Sequence, residues 1–437
     1  MKNEHTIEEL RERQALPLEA KVMMTQNRIH EWQLSSDLGY KKGVVSFSGG
    51  KDSTVLLHIA RKLYPDIPAV FSNTGLEYPE IQAFVKRFDN VTVVRPKMRF
   101  DEVISKYGYP LIGKEVAEAI YYARRIRSQT VQVERERETQ QGSVNATNST
   151  GKENGWKRLE MRGGEKVHLI QTSTARNRRT VLSGRMPGAG VENGKTGEGA
   201  VFSKGTEQFG EKSQFNKEKY LPLARDIPVP ISHYCCQVMK KEPLHKFQKQ
   251  SGLHPILATM AEESRVRRQA WLRTGCNAFE GSNPKSQPMS FWTEQDVLQY
   301  IVENGIEIAS VYGDIVSVDS DGNEYDSLSV MSDGCKLKCT GCQRTGCIFC
   351  AFGFHNEKGV TRFQRLSWTH PRQYEYCMGG GQWVYNPAYD AAASEYDGEW
   401  KNWNPKKIWV PSKKGLGMKK VFDMVNEIYG KNFYRYE

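Results

Sequence analysis

The stretch Ser46-Phe-Ser-Gly-Gly-Lys-Asp-Ser-Thr54 decides the predicted fold. The apolar segment that begins at Gly43 and leads into it is predicted as a strand, and residues 54–63 repeat apolar side chains with the period of a helix. Between a strand and a helix, Gly49 and Gly50 let the backbone turn tightly, so that backbone N–H groups and the positive helix end face one site. The stretch therefore predicts an anion site, and its spacing differs from the GxxxxGK[ST] loop of kinases and GTPases.

Strands and helices alternate on both sides of this loop. Residues 69–72 and 91–94 are predicted as strands, and residues 6–33 as two helices that separate near Pro17. The same patterns predict a helix over 240–250, a strand over 255–259, a helix over 293–304 capped by Ser290 or Thr293, and a small hairpin around 315–322. This alternation predicts an α/β fold in which a parallel, five-stranded sheet carries helices on both faces.

The composition is that of a soluble globular protein, with 437 residues of which 38% are hydrophobic and 26% charged. The charged N-terminal segment lacks the apolar core of a secretory signal, and no apolar run reaches the length of a membrane span. We therefore expect a cytoplasmic protein with no membrane partner, whose nine cysteines are reduced. The net charge of +11 fits either a polyanionic partner or a site for phosphate-bearing nucleotides.

Residues 128–219 interrupt the periodic pattern with a polar, basic composition, which predicts an insertion that is part flexible loop and part irregular β structure. Its basic residues form either a nucleic-acid surface or a solvated loop: Lys157, Arg158, Arg162, Lys166, Arg176, Arg178, Arg179 and Arg185. The predicted organisation is an N-terminal helical segment (1–40), an α/β domain in two parts (41–127 and 220–310), the insertion, and a cysteine-rich C-terminal region (311–437).

The segment SGGKDS resembles the PP-loop of the adenine-nucleotide α-hydrolase superfamily. The chain is identified on this basis as a member of its phosphoadenosine phosphosulfate (PAPS) and adenosine phosphosulfate (APS) reductase family. Phe71-Ser-Asn-Thr-Gly-Leu-Glu-Tyr-Pro-Glu80 resembles the segment that lines the family's nucleotide site, with Asn73 in place of the usual acidic residue. Met260-Ala-Glu-Glu-Ser-Arg-Val-Arg-Arg268 resembles the Arg-rich segment that faces the sulfonucleotide, although its other interpretation is a solvated helix face.

The resemblance implies roles for individual residues. Guanidinium groups suit a sulfonucleotide site because each one can bind a phosphate or sulfate through two hydrogen bonds. The resemblance covers residues up to about 127 and from 220 to about 375. The nucleotide-binding residues that it implies are Ser46, Ser48, Gly49, Gly50, Lys51, Asp52, Ser53, Thr54, Asn73, Thr74, Gly75, Glu77, Glu263, Arg265, Arg267 and Arg268.

Cysteines form the second chemical feature of the sequence, since five of the nine lie between Cys335 and Cys350. The Cys235-Cys236 pair and Cys347-x-x-Cys350 resemble the two halves of the APS reductase cluster site, which implies four thiolate ligands for a [4Fe–4S] cluster. Cys335, Cys339 and Cys342 have zinc-like spacing, and Cys347 or Cys276 would complete a Zn²⁺ site. A zinc site with two separate buried cysteines is the alternative to the cluster, and the sequence leaves the partition open.

The leading functional prediction is a sulfonucleotide reductase-like enzyme. In the family that the chain resembles, a C-terminal cysteine in an ECGLH-like motif attacks the sulfur of APS or PAPS and releases AMP or its 3′-phosphate. This chain lacks the motif, and its last cysteine, Cys377, is either that nucleophile or a structural residue. Lys51 and Asp52 complete the predicted catalytic set, and a thioredoxin-like or ferredoxin-like reductant is the predicted partner.

Two other functions remain open at this point. Related PP-loop enzymes cleave ATP between the α and β phosphates, adenylate an oxygen of their substrate, and let sulfur displace AMP. For that reaction Asp52 would help to bind Mg²⁺ and Lys51 would stabilise the phosphate charge, in an ATP-dependent sulfurtransferase that modifies tRNA or DNA. The third hypothesis is a non-catalytic nucleotide sensor. The sequence predicts no oligomeric state.

Overall fold

The computed structural model describes residues 5–35, 37–122, 124, 156–158, 169–171, 218–281, 283–326, 335–391, 396–397, 400–401 and 403–437. Its α-helices include α1 (Ile7–Gln14), α2 (Leu18–Leu34), α3 (Lys51–Leu63), α4 (Pro79–Val85), α5 (Phe100–Tyr107), α6 (Leu221–Arg225), α7 (Glu242–Ser251), α8 (Arg265–Thr274), α9 (Glu294–Glu303), α10 (Arg362–Thr369), α11 (Pro371–Met378) and α12 (Met418–Tyr429).

The strands are β1 (Gly43–Ser46), β2 (Ala69–Ser72), β3 (Val91–Val94), β4 (Leu111–Ile112), β5 (Trp156–Arg158), β6 (Leu169–Gln171), β7 (His254–Ile256), β8 (Asn277–Ala278), β9 (Lys285–Ser286), β10 (Ile315–Val318), β11 (Glu324–Asp326), β12 (Lys336–Cys339), β13 (Ala351–Phe352), β14 (Gln382–Tyr385), β15 (Tyr396–Asp397), β16 (Trp400–Lys401) and β17 (Lys407–Val410).

The chain divides into two compact units, of which the first comprises Met1–Arg99 and Gln237–Ile348. It is built on a six-stranded sheet with the strand order β3-β2-β1-β7-β9-β8. The pairs from β3 to β9 are parallel, whereas β8 runs antiparallel to β9 at the edge. The predicted α/β fold with five parallel strands is therefore confirmed, and the sheet gains one antiparallel edge strand. The central position of β1 explains its apolar composition, because Val44 and Val45 are fully buried.

The predicted helices of the first unit are present, and their ends follow local chemistry. Pro17 separates α1 from α2 and immediately precedes the first residue of α2. Thr293, rather than Ser290, caps α9: its hydroxyl accepts the Asp296 N–H while the Asp296 carboxylate accepts the Thr293 N–H. Asp296 also pairs with Lys21 at 2.7 Å in a buried site, which joins α9 to α2. Both helices thus contribute charged groups to the interior of this unit.

The predicted hairpin around 315–322 is also present, but it has a third strand. β12 pairs antiparallel with β10, opposite β11, and so brings the first part of the cysteine-rich segment into the first unit. Ile348 continues this association by donating its N–H to the Leu76 carbonyl at 2.8 Å. In the C-terminal half of the chain, the division between the two compact units falls after Ile348.

The second unit comprises Phe100–Cys236 and Phe349–Glu437. Its strands pair as β4 with β13 in parallel and β14 with β17 antiparallel, and its buried side chains include Phe354, Phe363 and Phe422. Most of the predicted insertion lies outside the described residues; β5 and β6 are described as an antiparallel pair, and the side chains of the predicted basic surface are not described. Across the described parts of the chain, no helix has the length and apolar character of a membrane span.

Candidate functional site

The phosphate loop, defined here as residues 48–53, connects β1 to α3. Gly49 has a φ of +72°, and a Cβ atom there would lie 2.7 Å from the Val85 side chain and 2.8 Å from that of Ile81. Glycine is required at this position because both the left-handed backbone and the close packing exclude a side chain. Gly50 precedes the first residue of α3 and makes no side-chain cap bond, so backbone N–H groups of the helix start remain for other acceptors.

The hydroxyl groups of the loop bond mainly to the loop itself. The Ser53 hydroxyl donates to the Gly50 carbonyl at 2.9 Å and accepts the Ser48 N–H at 3.1 Å, while the Thr54 hydroxyl donates to the same carbonyl at 3.0 Å. Ser48 Oγ lies 3.0 Å from Ser53 Oγ. The structure thus brings these predicted residues together, and their hydroxyls set the shape of the loop.

Lys51 is the central cation of the site and is only 3% exposed. Its Nζ lies 3.0 Å from Glu294 Oε1, 3.4 Å from Asp52 Oδ1, and 3.3 Å from the carbonyl oxygen of Gln343, to which it donates. Burial acts to lower the pKa of Lys51, but Asp52 and Glu294 outweigh it and raise the pKa above the ordinary value. The ammonium group is therefore charged at neutral pH, although it lies almost entirely away from water.

The backbone N–H of Lys51 donates to the hydroxyl oxygen of Tyr312 at 3.1 Å. That hydroxyl in turn lies 2.6 Å from Thr345 Oγ1, and burial raises the pKa of Tyr312 to about 12, so the phenol is neutral. An N–H group in the first turn of a helix is a usual partner for an oxygen of a bound anion. In this structure a protein hydroxyl occupies that position.

Asp52 combines a raised pKa with an incomplete set of partners. Burial raises the pKa of its carboxyl group, and the Lys51 ammonium offsets part of the effect. Among the described residues, Asp52 Oδ1 is buried and lacks a hydrogen-bond partner, although Lys51 Nζ is 3.4 Å away. Together with Glu294, this oxygen offers the carboxylate chemistry that Mg²⁺ prefers.

The turn that follows β2 is held by its own side chains. Glu77 accepts the Thr74 N–H at 3.0 Å and the Thr74 hydroxyl at 2.7 Å, and Asn73 accepts the Gly75 N–H at 3.0 Å. The amide oxygen of Asn73 makes this bond without a negative charge. These predicted residues form one compact turn at the carboxyl end of a parallel strand, where ligands of α/β proteins commonly bind.

The Arg-rich segment forms the start of α8. Ser264 caps this helix by accepting the Arg267 N–H at 3.3 Å, and Glu263 forms an ion pair with the Arg267 side chain. Burial lowers the pKa of Arg267, with a further contribution from Arg344, while Asp52 acts in the opposite direction. Arg267, one of the three predicted arginines, therefore interacts electrostatically with Asp52 of the phosphate loop. Arg265 and Arg268 are exposed on the same helix.

A cavity of about 120 Å³ lies at the carboxyl ends of β1 and β2. Its lining includes Ser46, Ser48, Ser72 and Glu77, together with Lys240 and Thr345. Sites for small molecules usually measure about 300–1,000 Å³, so this cavity is smaller than a nucleotide requires. A larger cavity of about 930 Å³ lies in the second unit along α12 and the C-terminal tail, and none of the predicted site residues lines it.

Comparison with known proteins gives the family of the chain. The family model of the phosphoadenosine phosphosulfate reductase domain matches residues 42–115 and 202–351, about half of the sequence. The chain belongs to the phosphoadenosine phosphosulfate reductase family. The matched segments contain the phosphate loop, the turn after β2 and the start of α8. Membership in this family supports a sulfonucleotide-related function.

Two individual proteins resemble parts of this family member. An uncharacterized protein of Methanocaldococcus jannaschii is 39% identical over 69 residues, which is 15% of this chain and 17% of that protein. The chain therefore spans about a sixth of the length of this relative. The crystal structure of phosphoadenylyl-sulfate reductase from Candida auris, a phosphate complex, aligns with 71% of this chain and 92% of its own, at 11% identity and a TM-score of 0.28.

The cysteines predicted as cluster ligands fall in both units of this PAPS reductase family chain. In the second unit the sulfur atoms of Cys235 and Cys236 lie 4.0 Å apart. Burial raises the pKa of Cys350, and Cys236 is close enough to contribute to that shift. Cys347 belongs to the first unit. Within the described part of the chain, no three His, Cys, Asp or Glu side chains are gathered as they would be around a metal ion.

The predicted zinc residues lie in the first unit. Burial raises the pKa of Cys339 to about 11, and Cys342 contributes to the same shift, so these two side chains are neighbours. Cys276 is buried in different surroundings, which include Trp271, Arg28 and Arg13.

Cys377, the predicted nucleophile, lies in the core of the second unit. It is fully buried, and its Sγ lies 3.5 Å from Met418 Sδ. Burial raises its pKa well above the ordinary value of a thiol, which opposes formation of a thiolate at neutral pH. These observations favour the structural role that the sequence also allowed for this residue.

Several residues at the phosphate loop were not predicted from the sequence. Tyr312, Glu294, Gln343 and Thr345 contact Lys51 or its immediate partners, and Arg344 influences Asp52. Their positions depend on chain segments far from the loop in sequence, and no local motif marks Tyr312 or Glu294. The available signal was the position of Arg344 and Thr345 just before the Cys347-x-x-Cys350 motif.

Proposed function

We propose that this chain is an enzyme that binds an adenine nucleotide at the phosphate loop and acts in sulfonucleotide reduction or sulfur transfer. The observation that carries the proposal is the buried, charged Lys51 in the first turn of α3, at the carboxyl end of a central parallel strand. A buried cation beside helix N–H groups suits the phosphates of a nucleotide. Family membership adds the sulfur chemistry.

The site offers distinct groups to distinct parts of the nucleotide. The phosphate loop and Lys51 would bind the phosphates, and Arg267 would bind the distal phosphate or sulfate. The cavity at the ends of β1 and β2 would take the nucleoside once it has widened beyond its present 120 Å³. The turn that contains Thr74 and Glu77 forms part of this region and would contact the nucleoside.

Sulfonucleotide reduction requires a thiolate that attacks the sulfur of APS or PAPS. The burial and raised pKa of Cys377 do not suit that task, which weakens this branch of the proposal. A thioredoxin-like or ferredoxin-like reductant remains the proposed partner if the enzyme follows this branch.

A specific observation favours the second branch, an ATP-dependent sulfurtransferase that adenylates its substrate. Asp52 and Glu294 place two carboxylates beside Lys51, and one oxygen of Asp52 lacks a hydrogen-bond partner among the described residues. These residues fit Mg²⁺, which when bound would neutralise phosphate charge of ATP. The acceptor in this branch would be tRNA or DNA.

A [4Fe–4S] cluster with Cys235, Cys236, Cys347 and Cys350 as ligands forms part of the same proposal. The adjacent sulfurs of Cys235 and Cys236 and the influence of Cys236 on Cys350 support it. When bound, the cluster would tune the electrostatics near the sulfur of the substrate rather than carry electrons. A Zn²⁺ ion at Cys335, Cys339 and Cys342, with Cys347 or Cys276 as the fourth ligand, is the alternative proposal.

One anaerobic incubation tests the proposed function. The protein is mixed with Mg²⁺, ATP, APS, PAPS and a thiol reductant, and the nucleotides are separated by chromatography. Release of sulfite with AMP or its 3′-phosphate supports reduction, whereas conversion of ATP to AMP and pyrophosphate that increases with tRNA or DNA supports the sulfurtransferase. Persistence of all three nucleotides with well-folded protein would contradict both enzymatic branches and leave the non-catalytic nucleotide sensor.

A further inference from the structure

The cysteine loop, defined here as residues 339–347, lies directly against the phosphate loop. The carbonyl oxygen of Gln343 is 3.3 Å from Lys51 Nζ, and Thr345 Oγ1 is 2.6 Å from the Tyr312 hydroxyl that accepts the Lys51 N–H. A Cβ atom built on Gly50 would lie 3.3 Å from the same Thr345 oxygen. Two residues of the cysteine loop therefore make contact with the groups that would bind an anion.

The first part of the cysteine loop is held firmly by backbone hydrogen bonds. The Thr340 N–H donates to the Asp314 carbonyl at 2.9 Å. The next two N–H groups continue the pattern: that of Gly341 donates to the Tyr312 carbonyl at 2.8 Å, and that of Cys342 to the Val311 carbonyl at 2.9 Å. A Cβ atom at Gly341 would lie 2.4 Å from the Val311 carbonyl oxygen, so only glycine permits this close approach. The position of the residues that follow is thus fixed relative to Tyr312 and the phosphate loop.

Arg344 lies between the two contacting residues, Gln343 and Thr345. Burial is the main cause of the raised pKa of Asp52 and of the lowered pKa of Arg267. The positive charge of Arg344 acts to lower the pKa of both groups. The Arg344 side chain is exposed, so its guanidinium is accessible to a ligand that reaches the loop. The contacts of its neighbours Gln343 and Thr345 and its electrostatic influence indicate that Arg344 lies close to Asp52 and Arg267, beside the phosphate loop.

We propose that Arg344 is a further anion-binding residue of this site and that it binds the distal phosphate or sulfate of the nucleotide together with Lys51 and Arg267. This inference rests on the proposed function. A guanidinium group suits the role because its planar donors match two oxygens of a tetrahedral oxyanion. The cysteine-rich segment thereby contributes directly to nucleotide binding, in addition to any metal that its thiols hold.

Binding also requires an exchange of partners. The Lys51 N–H and ammonium now bond to Tyr312 and Gln343, and Thr345 lines the small cavity of about 120 Å³. Phosphate oxygens would replace the Tyr312 hydroxyl and the Gln343 carbonyl as acceptors. Thr345 and Gly346, which line the cavity, would move away from it, while the backbone hydrogen bonds of residues 340–342 keep Arg344 beside the anion.

The test compares Arg344→Ala with Lys338→Ala, a control that removes one exposed positive charge from neighbouring β12. Dissociation constants for ATP, PAPS and AMP are measured by titration calorimetry at one ionic strength, and folding is checked by thermal unfolding. Loss of a charged hydrogen bond predicts that Arg344→Ala binds ATP and PAPS about 10–100 times more weakly, with little change for AMP. Arg344→Lys should recover part of the loss, and Lys338→Ala should stay within about twofold of the wild type, because an exposed charge away from the ligand contributes little.

The outcomes separate this inference from the proposed function. If the wild type binds the nucleotides and Arg344→Ala binds ATP and PAPS equally well, the role of Arg344 is refuted while nucleotide binding stands. An equal loss for ATP and AMP would show that Arg344 supports the fold of the site, which also overturns the inference. If the wild type binds none of the three nucleotides, the proposed function itself fails, and the inference with it.

Discussion

Replacing Lys51 with methionine tests both the stability and the ligand-binding role of the buried cation. Lys51 is 3% exposed, and its carboxylate partners Asp52 and Glu294 have side chains that are 28% and 35% exposed. Loss of one partner of a fully buried ion pair costs about 3–5 kcal/mol. Because solvent screens these partly exposed carboxylates, we expect Lys51→Met to lower the free energy of unfolding by about 1–3 kcal/mol.

The double variant Lys51→Met with Glu294→Gln separates the two roles. Glu294→Gln removes one of the two like charges that Lys51 neutralised, so the double variant should regain about 1 kcal/mol of the lost stability. Nucleotide affinity should not recover, because a hydrogen bond from a charged donor to phosphate contributes about 1.5–3 kcal/mol, or roughly 10–150-fold in the dissociation constant. The Lys51 ammonium donor is absent from both the Lys51→Met single variant and the double variant.

Urea unfolding measures the stability of the wild type, both single variants and the double variant, and calorimetry measures their affinity for ATP. Glu294→Gln alone should keep or increase the affinity for Mg²⁺-free ATP, since it removes a competitor for the Lys51 ammonium. Wild-type affinity in Lys51→Met would refute the assignment of Lys51 to the anion site. An unchanged free energy of unfolding in Lys51→Met would refute the loss of about 1–3 kcal/mol that we expect from the burial and ion pairs of Lys51.

Three further predictions follow from other parts of the chain. Lys21→Met should lower the free energy of unfolding by about 3–5 kcal/mol in urea, because it leaves the buried Asp296 carboxylate without its cation; a loss under about 1 kcal/mol would contradict this. Cys377→Ala should retain nucleotide turnover within about threefold, since a buried thiol with a raised pKa is a poor nucleophile, whereas a hundredfold loss in a folded variant would favour the catalytic role. Anaerobically purified protein should be brown with about four irons per chain and lose most of them in Cys350→Ala; stoichiometric zinc without iron would contradict the proposed cluster.

The sequence predicted those parts of the fold that depend on local pattern. β1, the phosphate loop and α3 were predicted because an apolar strand, two glycines and a helical repeat follow one another directly. The edge strand β8 has two residues, Asn277 and Ala278, and is too short to carry a period. β12 was not predicted because its membership of the small sheet depends on pairing with β10.

In the candidate site, too, the features that depend on local motifs were predicted, whereas the contacts between distant parts of the sequence were not. The residues of the phosphate loop and of the turn after β2 are contiguous in sequence, so their motifs were sufficient to predict that they lie together. The bond between Lys51 and Tyr312 joins residues that are 261 positions apart, and no periodicity reports such a contact. Ser53 and Thr54 were predicted to bind the nucleotide, yet their hydroxyls donate to the Gly50 carbonyl, because a tight loop must satisfy its own carbonyl groups.

Equilibrium dialysis with labelled ATP, APS and PAPS shows whether an adenine nucleotide binds at the phosphate loop. The wild type and the Lys51→Met, Glu294→Gln double variant are compared at equal concentration, with folding confirmed for both. We expect saturable binding of at least one nucleotide at one site per chain, and a loss of at least about tenfold in affinity in the double variant. Binding that is equal in the two proteins, or absent from the wild type, would contradict this expectation.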